Sequence, residues 1–422
     1  MDNTGFLKYK NLKQCYDFRL HGIELNRVLT PEFNLIIYNR KKFDKIGSIK
    51  LLSSVFKTKS LGQIKAAFMH HRIISTVISK RKDYKDLIDS LLVGVEGWQH
   101  IPLLELKPSF AFHPLLIAKI FFFVFGKKRP ETLKEKMLLA TSLVYYANIL
   151  LSLRKGFKNI DLSGKKYVPF NSAYDLEALF VQFFKQKKVQ TYHICHGVTY
   201  IPYKTFIPID VVNGENITAD TILVWGNSFK ENLIKIYNQD PEHIIICGNP
   251  KYQMKDIKVS QTFKRGIVFL GRPVYDADNK ELLKLIGKIA EEQNIHFSVK
   301  AHPTSNQEMF KEVIKANEKL LLLSRDNTVI DILHSGQYDF AVAYNTTAYY
   351  EAMYYNMVCL RYGINENEAY DGPDDKFYDE ASLLIQIEKY KRKDLSSVNQ
   401  EITETLIDNF GMGINRYKEY FQ

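Results

Sequence analysis

From Tyr167 to about Gly363 the chain alternates short apolar runs with amphipathic stretches, and few folds accommodate that pattern. Strand-like runs cover Tyr167 to Asn171, Val189 to Cys195, Thr221 to Trp225 and His243 to Cys247. After the polar stretch Lys251 to Lys264, others cover Gly266 to Leu270, His296 to Lys300, Leu320 to Leu323, Phe340 to Ala343 and Val358 to Arg361. Helical periodicity fills the gaps, as in Asp175 to Lys187, Ser228 to Tyr237, Lys280 to Gln293, Gln307 to Ala316 and Ala348 to Tyr355. Apolar strands alternating with helices predict parallel sheets covered on both faces. Two such series in 422 residues predict an α/β protein with two Rossmann-like domains facing across a cleft. The expected division is 1–250, a linker at 251–264, a second domain at 265–398, and a helical segment at 399–422 packing back across the cleft. Upstream, the pattern reads as a strand at Leu35 to Tyr38, a helix-like run from Leu61 to Ser79, an apolar segment from Leu87 to Val95, and a helix from Thr132 to Arg154.

Composition narrows the partners. Lys and Arg number 58 against 47 Asp and Glu, a net charge of +11, which suits an anionic partner. The basic clusters, such as Arg40-Lys41-Lys42, Lys80-Arg81-Lys82 and Lys127-Lys128-Arg129, carry no zinc-finger, RRM or basic-region signature, so nucleic acid is not expected. Four scattered cysteines make neither a disulfide framework nor a zinc site, and they fit a reducing compartment. The first residues lack the order of a signal peptide. The expected location is therefore cytoplasmic, with contact to the inner face of the membrane through the basic N-terminal half as a further expectation. The segment Phe110 to Phe125 is too short to span a bilayer. It reads as a core helix, which we favour, or as a helix lying among lipid headgroups beside Lys127 and Lys128.

Ligands of open parallel sheets bind at the carboxyl ends of strands. In the second series those ends are Gly271-Arg272-Pro273, Lys300-Ala301-His302-Pro303 and Tyr344-Asn345-Thr346-Thr347, with Glu351 one helical turn further on. Glycine admits close approach of a ligand to the backbone, and arginine suits a phosphate. His302 suits a phosphate oxygen or, equally, a structural role, and the hydroxyls at 346 and 347 suit an anion or a helix cap. In the first series His196 ends a strand before Gly197, and Glu96 stands between Gly94 and Gly97; either is a candidate general base. His193, deeper on the same strand as His196, reads as structural. Asp371, Asp374 and Asp375 around Gly372-Pro373 read as a turn rather than a metal site. Neither a Gly-x-Gly-x-x-Gly fingerprint nor a P-loop is present, so no redox or other cofactor is expected.

These residues in this order resemble the GT-B class of glycosyltransferases. Lys300-Ala301-His302-Pro303 is similar to the HP motif of bacterial CMP-sugar transferases of the sialyltransferase, polysialyltransferase and capsular Kdo transferase types. Thr346-Thr347, followed by Tyr350-Glu351-Ala352, is similar to their paired-hydroxyl motif. The resemblance implies that His302, Thr346 and Thr347 hold the nucleotide phosphate. His196-Gly197 is also similar to the His-Gly of teichoic-acid glycerophosphate transferases, where the histidine acts as base, whereas Val95-Glu96-Gly97 has one acid where sialyltransferases have two. The expectation is an inverting, metal-independent glycosyltransferase moving a sugar from a CMP-sugar to a bacterial surface glycan or glycolipid. A UDP-sugar transferase, a sugar-nucleotide epimerase of the same fold and a non-catalytic polyanion- or membrane-binding scaffold are the alternatives.

Overall fold

The structure, a computed structural model, describes residues 4–78, 82–128, 131–195, 197, 211, 214–363 and 370–422. The chain divides into two compact units: residues 1–224, 230–251 and 415–422 form one, and residues 225–229 with 252–414 form the other.

The first unit carries a six-stranded sheet of β1 (Ile73–Val77), β2 (Trp98–Pro102), β3 (Lys166–Pro169), β4 (Gln190–Ile194), β5 (Thr221–Val224) and β6 (Ile244–Ile246), in the order β6-β5-β4-β3-β1-β2. Every pairing is parallel. The order reverses between β1 and β3, so this is where the sheet opens a crevice at its carboxyl edge. All five residues of β1 are buried, whereas the edge strand β2 is half-exposed. Helix Leu133–Gly156 lies largely in the core; its start is fixed by a reciprocal cap between Thr132 and Glu135. It is long and apolar enough to cross a membrane by length and composition, but most of its apolar window is buried in this unit.

Several upstream expectations are corrected. Leu35 to Tyr38 belongs mostly to helix Thr30–Ile37. The run from Leu61 to Ser79 splits into helix Gly62–His70 and strand β1. Leu87 to Val95 overlaps helix Lys82–Leu92, whose apolar side packs Leu87, Ile88, Leu91 and Leu92 into the core. Phe110 to Phe125 contains helix Pro114–Phe125, and only Ile120 and Val124 of that helix are buried, so it is not a core helix.

The second unit repeats the theme with β7 (Arg265–Phe269), β8 (His296–Lys300), β9 (Leu320–Leu322), β10 (Phe340–Ala343), β11 (Val358–Tyr362) and β12 (Lys376–Phe377). They are ordered β9-β8-β7-β10-β11-β12 and are all parallel. In chain order this is 3-2-1-4-5-6, the Rossmann order, with its reversal between β7 and β10. Two Rossmann-like parallel sheets in one chain are the make-up of the GT-B class, as the sequence implied. Helix Leu395–Phe410 closes the second unit and stops at Gly411, whose φ of 59° lets the chain turn. The short helix Tyr417–Phe421 then joins the core of the first unit, where Tyr417 donates to the Gly248 carbonyl at 2.6 Å.

Candidate functional site

Register places the site. Phe269 of β7 pairs with Lys300 of β8 on one side and with Ala343 of β10 on the other. Two residues beyond these three level positions stand Gly271, His302 and Asn345, just past the ends of their strands. The three carboxyl ends therefore present a short backbone, an imidazole and an amide around the point where strand order reverses.

Each of the three is held for a reason. A Cβ on Gly271 would lie 2.8 Å from the Tyr344 carbonyl oxygen and 3.2 Å from the Tyr275 ring, so only glycine fits. Its N–H and carbonyl are both bound by the Asn279 side chain, at 3.0 and 3.1 Å. His302 Nδ1 lies 2.8 Å from the Thr304 hydroxyl and accepts the Thr304 N–H at 3.3 Å. These contacts to Thr304 fix the orientation of the ring. Asn345 adopts a φ of +44°, which costs less for Asn than for most residues. It is 6% exposed, and its Nδ2 finds no hydrogen-bond partner. A buried amide donor left unsatisfied costs about 1–3 kcal/mol. It borders a narrow recess of about 10 Å³, room for about one water molecule, whose lining includes Ala343, Thr346, Arg361, Tyr362 and Tyr370.

Other predicted site residues are employed by the protein itself. Lys300 is buried and donates to the carbonyls of Ser324 and Arg325, both at 3.0 Å, so it pins that loop instead of meeting a ligand. Burial lowers its pKa. Tyr344 is buried, packs on Tyr275 and Tyr362, and donates to Asp278 at 2.7 Å. Arg272 is half-buried before the turn Pro273–Tyr275, and Pro303 is exposed in a turn. The Thr346 hydroxyl accepts the Ala348 N–H at 3.4 Å, and Thr347 precedes helix Ala348–Tyr354 without capping it through its side chain. That helix has only seven residues, so the donors that matter at this edge are side chains. Glu351 accepts the Tyr252 hydroxyl at 2.8 Å, which raises the tyrosine pKa, after burial as the main cause.

The long helix after β7, Asp276–Glu292, has Asp276 and Asp278 in its first turn. These carboxylates occupy the positive end of the helix dipole, where a dinucleotide phosphate would otherwise sit. In the acidic segment the three residues are engaged by the protein itself. Asp375 pairs with Arg361 at 2.6 Å, Asp374 pairs with Lys389 at 2.7 Å, and the Asp371 carbonyl accepts from Tyr350.

Arg361 is the residue that sequence reasoning missed. It is level with Ala343 on β11, is buried, and also donates to the carbonyls of Tyr370 and Pro373. A Cβ on Gly372 would collide with the Tyr349 hydroxyl at 1.8 Å, so the turn wraps tightly around this pair. Burial raises the Asp375 pKa to about 6 despite the guanidinium. The available signal was one arginine in the otherwise apolar run Val358-Cys359-Leu360-Arg361-Tyr362.

At the carboxyl edge of the first sheet the polar groups are buried acids. Glu177 accepts from the Thr76 hydroxyl at 2.8 Å and from the N–H groups of Phe170 and Asn171 at 3.0 and 3.2 Å. Burial nevertheless pushes its pKa up to about 8. Tyr146 donates to Asp175 at 2.9 Å; Asp175 and Glu32 are raised by burial to about 6 and about 8. His193 is buried against the Ser172 hydroxyl at 2.9 Å. Of the two candidate bases, His196 lies outside the described residues. Glu96 does not end a strand: it is exposed in the turn before β2, at the amino edge of the sheet, opposite the edge where parallel sheets bind ligands.

No protein-family model matches the chain, and no curated protein matches it. Solved structures of similar fold include a UDP-GlcNAc 2-epimerase from Methanocaldococcus jannaschii, 14% identical over 82% of this chain and 98% of that one, with a TM-score of 0.48. Another is MnaA of S. aureus in a structure with UDP, 11% identical over 83% and 96%, with a TM-score of 0.49. A third is TarM, 13% identical over 62% of this chain and 54% of that one, with a TM-score of 0.41. At these identities the likeness is one of fold alone.

Proposed function

We propose that the chain is an enzyme acting on a nucleotide-sugar, whose phosphate is held at the carboxyl edge of the second sheet. The reaction we assign is transfer of the sugar to a glycan or glycolipid hydroxyl. The observation that carries the reading is the buried, unsatisfied Nδ2 of Asn345, level with the His302 imidazole at the point of strand reversal. A phosphate oxygen would accept from both. As the bond from sugar to nucleotide breaks, negative charge grows on that phosphate, and fixed donors stabilise it more than they stabilise the intact donor. Glu351, oriented by the Tyr252 hydroxyl, is the carboxylate we assign to a ribose hydroxyl. The HP-like segment supports a CMP-linked donor, and the same donor set serves a UDP-linked one.

A second reading is epimerisation of the sugar on its nucleotide. It rests on the place of Glu96, which stands exposed at the amino edge of the first sheet and away from any acceptor at the carboxyl edge. Melting curves with CMP, CDP, UDP and GDP test the common part. A bound nucleotide at about 100 times its Kd adds about 2.7 kcal/mol of stability, and His302→Ala should abolish the shift. A wild-type protein that no nucleotide stabilises would sink both readings. Incubating a nucleotide-sugar alone, followed by NMR, separates them: a change at one sugar carbon without an acceptor means epimerisation.

A further inference from the structure

Helix Pro114–Phe125 lies on the surface of the first unit with an apolar face turned outward. Leu115 is 87% exposed and Phe122 is 80% exposed; Ala118 and Lys119 lie between them on the same face. The segment leading into the helix continues the patch. Phe110, 73% exposed, stacks on Phe56 at 6.1 Å between ring centroids, and Phe112 lies 5.6 Å from the same ring. At the start of the helix a recess of about 360 Å³ is lined by Leu20, His21, His113, Pro114, Leu116 and Leu151. Monomeric proteins seldom expose large contiguous apolar patches without a partner.

Charge names the partner. Between Lys107 and Lys128 the sequence holds Lys107, Lys119, Lys127 and Lys128, and no carboxylate. Lys107, Lys119 and Lys128 are exposed, and Lys127 lies 4.6 Å over the Phe123 ring. Lysine stems run along apolar surface while their ammonium groups reach headgroups. A second copy of this chain fits poorly, because a two-fold contact would set each Lys119 against its counterpart's lysines. A helix of 12 residues is about 18 Å long, too short to span a bilayer but suited to lie in its interface.

We propose that helix Pro114–Phe125, with Phe56, Phe110 and Phe112, is an interfacial anchor for a bilayer containing anionic phospholipid. The aromatic and leucine side chains enter the acyl boundary, the four lysines meet phosphate headgroups, and the recess takes part of an acyl chain. This anchoring does not depend on the nucleotide-sugar reading.

The test floats the full chain with vesicles of phosphatidylcholine alone and of phosphatidylcholine mixed with phosphatidylglycerol. Binding to the mixed vesicles, weakened by salt, is expected. Leu115→Asp and Phe122→Asp alter exposed side chains, so melting should be unchanged while binding falls by about tenfold or more each. Lys119→Glu should cost about fivefold or more. Absence of binding to the mixed vesicles overturns the proposal. So does binding that Phe122→Asp leaves intact, or a dimer that Phe122→Asp dissolves without any vesicle binding.

Discussion

The two sheets share a parallel plan but spend their carboxyl edges differently. In the first unit the edge near β1 and β3 carries groups bound to the protein itself: Glu177 takes three donors, and His193 is engaged by Ser172. In the second unit the edge between β7 and β10 keeps a donor unspent, the Asn345 amide, level with an imidazole oriented by Thr304. A polar group left unsatisfied in a core costs stability, so each one calls for an explanation, and at a strand reversal a ligand is one.

Stability measurements can break this contrast. The largest effect is expected from Arg361→Met, which strands the buried Asp375 carboxyl and the Tyr370 and Pro373 carbonyls. A loss of about 3–5 kcal/mol should appear in urea unfolding, and a loss near zero would remove the pair from its structural role.

Titration comes next. A carboxyl whose folded pKa lies above its unfolded value holds its proton more tightly when folded. Its contribution is fully present below the unfolded value and is lost as pH rises through the folded one. Glu32 and Glu177 act from their ordinary 4.5 up to about 8, and Asp175 and Asp375 from 3.8 up to about 6. Melting temperature should thus fall from pH 5 to pH 8, with only the first unit's glutamates still responding above pH 6. Glu177→Gln should flatten that upper part by a kcal/mol or more, about one order of magnitude in the unfolding equilibrium; an unchanged slope would show the carboxyl already ionised.

Asn345→Gly is a finer probe. Glycine accepts the φ of +44° without strain, so the variant removes the amide and little else. Nucleotide affinity, read by calorimetry, should drop about tenfold with stability held or slightly raised; equal affinity would deny Asn345 a part in binding. Smallest of all, Glu96→Gln should leave turnover unchanged and shift stability by less than about 0.5 kcal/mol, whereas a large loss of turnover would return Glu96 to the site.

How much of this was readable depended on punctuation. From Tyr167 onward, Gly, Pro and Asn close nearly every apolar run, and the strands fall within a residue or two of their expected ends, as at His296–Lys300 and Phe340–Ala343. Strand β1 was hidden because helix Gly62–His70 passes into Ile73 with no breaker between them. Strand β2 was hidden because an edge strand can be as polar as Trp98-Gln99-His100. At the site, Gly271, His302 and Asn345 were legible as strand ends, since their place follows from topology. That Lys300 and Tyr344 turn inward was not legible, because it depends on partners such as the Ser324 carbonyl and Asp278. The Arg361–Asp375 pair joins residues from either side of a turn, and single-sequence patterns carry no trace of such pairings.

Helix Tyr417–Phe421 has a consequence for biosynthesis. Tyr417 and Phe421 pack with Ile73, Ile88 and Val168 in one core, yet the whole second unit is translated before them. On the ribosome the first sheet must wait, incompletely covered, while its neighbour emerges and folds. Sequence separations this wide also make closure slow. For this chain, order of synthesis and order of completion run opposite ways, and the unit that begins first finishes last.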